Sequence, residues 1–413
     1  MRSRPGHTRR RLAVAGVAVA VLAACASEAE DPTVGGSEPP RSTASEPDSG
    51  GGDDAGVGPE GFEPEPIRWE ECAYGECATL EVPLDYEDPD AGMTEIFVSR
   101  ERATGERLGA LFVNPGGPGA TATDFASTLT ILLPEEITEH YDIVGVDPRG
   151  TGESMPLSCG VPAEELYAAD ATIEDAADEQ ALLEVTDRYV DDCAVKHGDV
   201  LQHVGTRDVA RDMDAVRAAM GDEKIAYLGF SYGTAVGQVY ADLFPERVDK
   251  MVLDGVLALG PSGAELAADQ AAGFEVALGR WVEWCRGNDR CVTRDDPLAA
   301  VEQVLAAVEA EGGVPAPGAD RPAGPGEASL AISMAMYSTS LWGSLSSALA
   351  DALAGDGTGL VELADQYLGF GNFEVYFAVN CLDFDWPEDP AAILAAGKAA
   401  AAESPHFGEA IVN

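Results

Sequence analysis

The chain has 413 residues, 73 of them acidic and 25 basic, for a formal net charge of −48. A field of that sign excludes nucleic acid and anionic lipid surfaces as partners, because their phosphates would be repelled. The chain is 46% apolar, enough for a sizeable core, while five scattered histidines and no C-x-x-C spacing give no zinc signature, so neither a metal nor an organic cofactor is expected.

The first residues read as a targeting segment. Arg2, Arg4, Arg9, Arg10 and Arg11 form a basic head, and residues 12–24 form an apolar run too short to span a bilayer. The run ends in Leu22-Ala23-Ala24-Cys25. Small residues before a cysteine resemble a bacterial lipobox, so lipidation of Cys25 is expected, with an ordinary signal peptide as the alternative. Residues 1–25 are therefore assigned to a lipoprotein signal segment. The product is expected in the cell envelope, lipid-anchored on the outer face of the cytoplasmic membrane, or secreted. Residues 26–66 are rich in Ser, Gly, Pro, Asp and Glu and have little to bury, so they read as a disordered acidic tether.

The folded part is expected from Ile67 onward. Residues 77–84 and 94–100 alternate apolar and polar and read as two strands joined by a turn at 85–92. Residues 108–113 form a continuous apolar strand leading into Asn114-Pro115-Gly116-Gly117-Pro118-Gly119. Another buried strand at 141–146 leads into Asp147-Pro148-Arg149-Gly150, where Asp147 and Arg149 are read as holding their loop. Residues 207–220 carry Val209, Met213, Val216 and Met220 at helical spacing. A strand at 224–228, a helix at 234–243 and a strand at 248–253 follow. Alternating strands and helices imply a mainly parallel sheet with helices on both sides. Then the pattern turns helical, at 264–285, 297–309, 329–354 and 359–368, with a Pro/Gly-rich loop at 312–326. Residues 390–403 are alanine-rich and helix-like.

Disulfides persist in an exported protein. Cys72 with Cys77 and Cys285 with Cys291 are close enough for local loops, and Cys159 with Cys193 could bracket a helical stretch, leaving Cys381 over. Spacing does not fix connectivity, so these pairs stand as expectations.

The chemistry concentrates in Gly229-Phe230-Ser231-Tyr232-Gly233. The bare G-x-S-x-G pattern arises by chance in many proteins, but here it sits between a strand and a helix, the setting of a nucleophile elbow. Ser231 is the expected nucleophile. The Tyr232 N–H and the backbone at Gly117 are the expected donors of an oxyanion hole.

Taken in order, residues 114–119, 145–154, 229–233 and Asp254-Gly255 resemble the α/β-hydrolase superfamily, and more narrowly the exported actinobacterial tripeptidyl-aminopeptidase-type enzymes related to proline iminopeptidases. One departure is Asn114, where many relatives have histidine. The resemblance covers most of 67–413 and implies an α/β-hydrolase core at 67–259, a helical cap at 260–375 and an incomplete return toward the core at 376–413. It also implies a serine peptidase that cuts peptides near their N-terminus. Asp383 and Glu374 are candidates for neutralising the substrate amine, though a structural or solvent-exposed role fits both better.

A serine needs a histidine base and an orienting acid, which in this fold follow it in the order acid, then histidine. Only His406 lies after Ser231 in that part of the sequence, and no apolar strand separates it from Asp385. A triad of Ser231, Asp383 or Asp385, and His406 is one reading. The preferred expectation is that the last strands, with their acid and histidine, are missing, so that Ser231 is correctly placed but lacks its base, and the strand at 248–253 is an open sheet edge. An esterase and a non-catalytic binding lipoprotein on the same scaffold are the alternatives. Peptide is the expected substrate and a lipid anchor the sole membrane link; the sequence does not specify the oligomeric state.

Overall fold

The computed structural model describes residues 62–161, 165–166, 171–173, 176–311 and 313–413. The signal segment with Cys25 and nearly all of the tether lie outside the described residues. Seven strands form one sheet: β1 (Glu70–Cys72), β2 (Gly75–Pro83), β3 (Met93–Glu101), β4 (Gly109–Asn114), β5 (Tyr141–Val146), β6 (Ile225–Phe230) and β7 (Val248–Asp254), in the spatial order β1-β2-β3-β5-β4-β6-β7. The first three strands form an antiparallel meander joined to β5, while β5, β4, β6 and β7 run parallel. Among the described residues β7 pairs only with β6 and forms one edge of the sheet, in the place where the sequence leads one to expect an open edge.

Helices α1 (Ala122–Leu132), α3 (Thr206–Met220) and α4 (Gly233–Leu243) pack on the sheet, while α2 (Ala176–His197) buries Tyr189 and Cys193 in a small separate cluster with Cys159 and Val161. Helix α3 buries Val209, Met213 and Val216, the stripe visible in the sequence, against Val82, Ile96, Phe112 and Tyr227 in one continuous core. Five helices follow: α5 (Gly263–Gly287), α6 (Pro297–Glu311), α7 (Pro325–Met336), α8 (Trp342–Leu353) and α9 (Thr358–Leu368). They share a second core around Trp281, Val301, Ile332, Leu345, Leu349 and Leu360. The single helix expected over 329–354 is two. Ser338 breaks it, its hydroxyl accepting the Ser340 N–H in place of the helical pattern.

Helix α10 (Phe373–Asp383), which sequence periodicity did not reveal, returns to the sheet, where Val375, Val379 and the adjacent Phe384 join the first core. Helices α11 (Pro390–Ala401) and α12 (Gly408–Val412) follow, and between them Phe407 inserts into the second core. The expected pairs Cys72–Cys77, Cys159–Cys193 and Cys285–Cys291 are disulfide-bonded, and Cys381 is a free thiol. Among the described residues no helix is long and apolar enough to cross a membrane.

Candidate active site

Ser231 occupies the turn between β6 and α4 with φ of 51°, a left-handed conformation that non-glycine residues rarely adopt. Such a conformation costs about 1–3 kcal/mol and persists where the surroundings over-determine it. Here they do. The Ser231 N–H donates to the Asp254 carbonyl at the end of β7 (2.9 Å), and its own carbonyl accepts the Thr234 N–H (2.9 Å) and the Thr234 hydroxyl (2.6 Å). The turn leaves Ser231 exposed, while Tyr232 behind it is buried.

The glycine loop at 114–119 lies directly on this turn. Asn114 ends β4 in register with Gly229, and its Oδ1 accepts the Gly116 N–H (2.8 Å). Gly116 has φ of 90°, and a Cβ there would sit 2.5 Å from the Phe230 carbonyl oxygen and 2.8 Å from the Tyr232 nitrogen. Only glycine permits that approach. The structure therefore brings Ser231, Tyr232 and the loop containing Gly117 together. Neither the Gly117 nor the Tyr232 N–H donates a hydrogen bond among the described residues.

The loop after β5 is the second support. Arg149 is fully buried; its guanidinium donates to both Asp212 oxygens (2.6 and 2.8 Å) and to the carbonyls of Pro83, Leu84 and His203. The Tyr86 hydroxyl also donates to Asp212 (2.7 Å). Asp147 accepts the Thr123 N–H (3.0 Å) and hydroxyl (2.9 Å) at the start of α1. Burial pushes its carboxyl up to about 6, against those hydrogen bonds, which pull it down. Asp147 and Arg149 thus hold their loop, as their sequence setting implies.

The remaining candidates are dispersed. The His406 ring bonds Glu275 of α5 through Nδ1 (2.7 Å), and the His406 N–H donates to the same carboxylate (3.2 Å). Both Asp383 oxygens accept the Thr206 N–H (3.2 Å each), and one also accepts the Tyr232 hydroxyl. Glu374 accepts the Cys159 N–H (3.4 Å). No hydrogen bond links Ser231, an aspartate and His406 among the described residues, so the literal triad does not form. Nor does any other described histidine bond the Ser231 hydroxyl: His140 meets the Glu106 carbonyl and His197 the Ser158 backbone. Among the described residues there is also no cluster of three or more His, Cys, Asp or Glu side chains suited to a metal.

Sequence reasoning overlooked Asn372. It caps α10 by accepting the Val375 N–H (3.2 Å), while its own N–H donates to Gly119 (2.8 Å) and its amide to the Gly150 and Leu157 carbonyls. The signal available was an asparagine just before an apolar run, the usual mark of a helix start.

The sequence model of the α/β hydrolase fold matches residues 109–397. Serine protease Hip1 of Mycobacterium tuberculosis is 34% identical over 348 residues, covering 77% of this chain and 67% of that protein. Tripeptidyl aminopeptidase of Streptomyces lividans is 35% identical over 353 residues, covering 78% of this chain and 64% of that one. Carboxylesterase B of Mycobacterium tuberculosis is 34% identical over 340 residues, 79% of this chain and 65% of that one. The chain thus spans about two thirds of the length of the curated relatives it matches. With its strand-turn-helix at Ser231 and its glycine loop in contact with that turn, the chain belongs to the α/β-hydrolase family.

Proposed function

We propose that this chain is a serine peptidase that cleaves peptides near their N-terminus, with Ser231 as nucleophile and the Gly117 and Tyr232 amides as oxyanion donors. The observation that carries the reading is the left-handed Ser231 with Gly116 pressed against the Tyr232 nitrogen. A strained turn that presents a hydroxyl beside two amides is the arrangement acyl transfer uses to receive negative charge, with each donor worth about 3 kcal/mol of barrier. The proteases among the relatives support peptides as substrates, and the carboxylesterase supports an esterase on the same site as a second reading. The base is assigned to no described residue. A non-catalytic binding protein is the reading from another class.

A fluorophosphonate probe tests the assignment. Labelling that disappears in Ser231→Ala supports an activated serine. Absence of labelling in the unaltered chain, with labelling in a longer one, supports a serine that lacks its base; absence in both favours the binding protein. Peptides with free and blocked amines then separate the aminopeptidase, which requires the free amine, from the esterase.

We also propose export with a lipid on Cys25, which would tether the protein to the outer face of the cytoplasmic membrane. Metabolic labelling with palmitate, compared with Cys25→Ala, tests it; equal labelling of both forms would refute it.

A further inference from the structure

An oxyanion hole works only if its donors are already aimed, and here both lie in turns rather than within regular elements. We infer that helix α10 braces both of them, with Asn372 and Asp383 as the positioning residues at its two ends; the inference rests on the serine-hydrolase reading of Ser231.

The Asn372 end grips the glycine loop. The Asn372 N–H donates to the Gly119 carbonyl (2.8 Å), and its side-chain amide donates to Gly150 (3.2 Å) and Leu157 (2.9 Å). The approach is close enough that a Cβ on Gly119, whose φ is 98°, would lie 2.3 Å from the Asn372 carbonyl oxygen. The loop that carries the Gly117 amide therefore cannot shift without moving the start of α10.

The Asp383 end grips Tyr232. One carboxylate oxygen accepts the phenol O–H, and the phenol oxygen also bonds the Thr206 hydroxyl (2.5 Å). The same carboxylate receives the Thr206 N–H at the start of α3, whose N-cap position is Gly205 and so has no side chain to offer. Burial, reinforced by the charge of Asp383, raises the Tyr232 phenol far above its ordinary value, so it remains a neutral donor. The amide aimed at the substrate belongs to Tyr232 itself. Fixing its phenol at the far end turns the side chain into a lever that holds its Cα, and with it the peptide plane between Ser231 and Tyr232. A displacement of about 1 Å at such a site can cost about a hundredfold in rate.

Between the two ends Val375 and Val379, one turn apart and buried, face Gly116, Pro118, Tyr232 and Val236 across a cavity of about 20 Å³. Eleven helical residues span about 16 Å, so one rigid rod reaches from the loop to the elbow.

Hydrogen exchange on the full chain tests the brace without requiring catalysis. The Thr234, Ala235 and Val236 amides bond the Ser231 and Tyr232 carbonyls, and Ala120 bonds Gly116. Asp383→Ala and Tyr232→Phe are expected to raise exchange at the first three about tenfold or more, and Asn372→Ala to raise it at Gly116 and Ala120. Tyr232→Phe removes one oxygen from a buried ring and should leave the β4 and β5 amides protected. Unchanged exchange at the turn, or an equal rise throughout the sheet, would overturn the brace. A second readout is the rate of Ser231 phosphonylation. In Tyr232→Phe it should fall about tenfold, and in Asp383→Asn, which keeps an acceptor for the phenol, by about threefold or less. A wild-type rate in Tyr232→Phe would refute the positioning role. No labelling of the unaltered chain would show that Ser231 is not activated in it, and exchange alone would then decide the brace.

Discussion

Ser231 and His406 are the two residues a reader of the sequence would most want to pair, and the molecule holds them by different means. Ser231 is set by main chain: a strand end, a left-handed turn, a carbonyl from β7 and a glycine pressed against the next amide. His406 is set by side chains, in a helical block with its own core, where Glu275 is its partner and the adjacent Phe407 packs with Phe274. Main-chain geometry imposes residue types at fixed spacing and so leaves a motif. Side-chain packing leaves none.

The sharpest way to break this contrast is Ser231→Ala, which should abolish covalent labelling; persistent labelling would mean that another residue reacts. Next comes Arg149→Ala. Removing one partner of a buried ion pair costs about 3–5 kcal/mol, so denaturant unfolding should show a loss of that size, whereas a shift below about 1 kcal/mol would show that the loop after β5 needs no such anchor. Gly116→Ala should follow, costing about 2 kcal/mol or more in the same assay and slowing labelling, because its Cβ would strike the Phe230 carbonyl. For His406→Ala we expect a loss of about 1–2 kcal/mol with no change in labelling. Loss of labelling there would reinstate His406 as the base and erase the contrast.

The smallest effect concerns Asp147. Its folded-state value of about 6 lies above that of an exposed aspartate, so between roughly pH 4 and 6 the folded chain binds more protons than the unfolded one. Stability from this group is therefore full at the acidic end of that window and falls as pH rises through it. Asp147→Asn should flatten that part of the profile. Parallel profiles for the two forms would contradict the assignment.

How much was legible follows the same division. The strand and helix that flank Ser231, the stripe on α3 and the neighbouring cysteines of Cys72–Cys77 and Cys285–Cys291 were readable because each rests on short-range spacing. The break at Ser338 was not, since alanine, leucine and serine on either side fit one helix equally well. Nor was the use of Asp383. An aspartate at the end of an apolar helix reads as a solvent-facing charge until Thr206 and Tyr232, each more than a hundred residues earlier, are brought to it. Gly117 is the expected oxyanion donor, while the neighbouring Gly116 is the glycine whose missing Cβ lets the loop meet the elbow; a sequence alone does not separate these two roles.

Arg149 makes five hydrogen bonds, as many as a guanidinium has N–H groups, to two carboxylate oxygens and three carbonyls in a pocket closed to solvent. A lysine has the same charge but three donors that radiate from a point, so at least two of those acceptors would lose their partner in a place water does not enter. The site is thus a mould for a flat cation, and positive charge alone would not fill it.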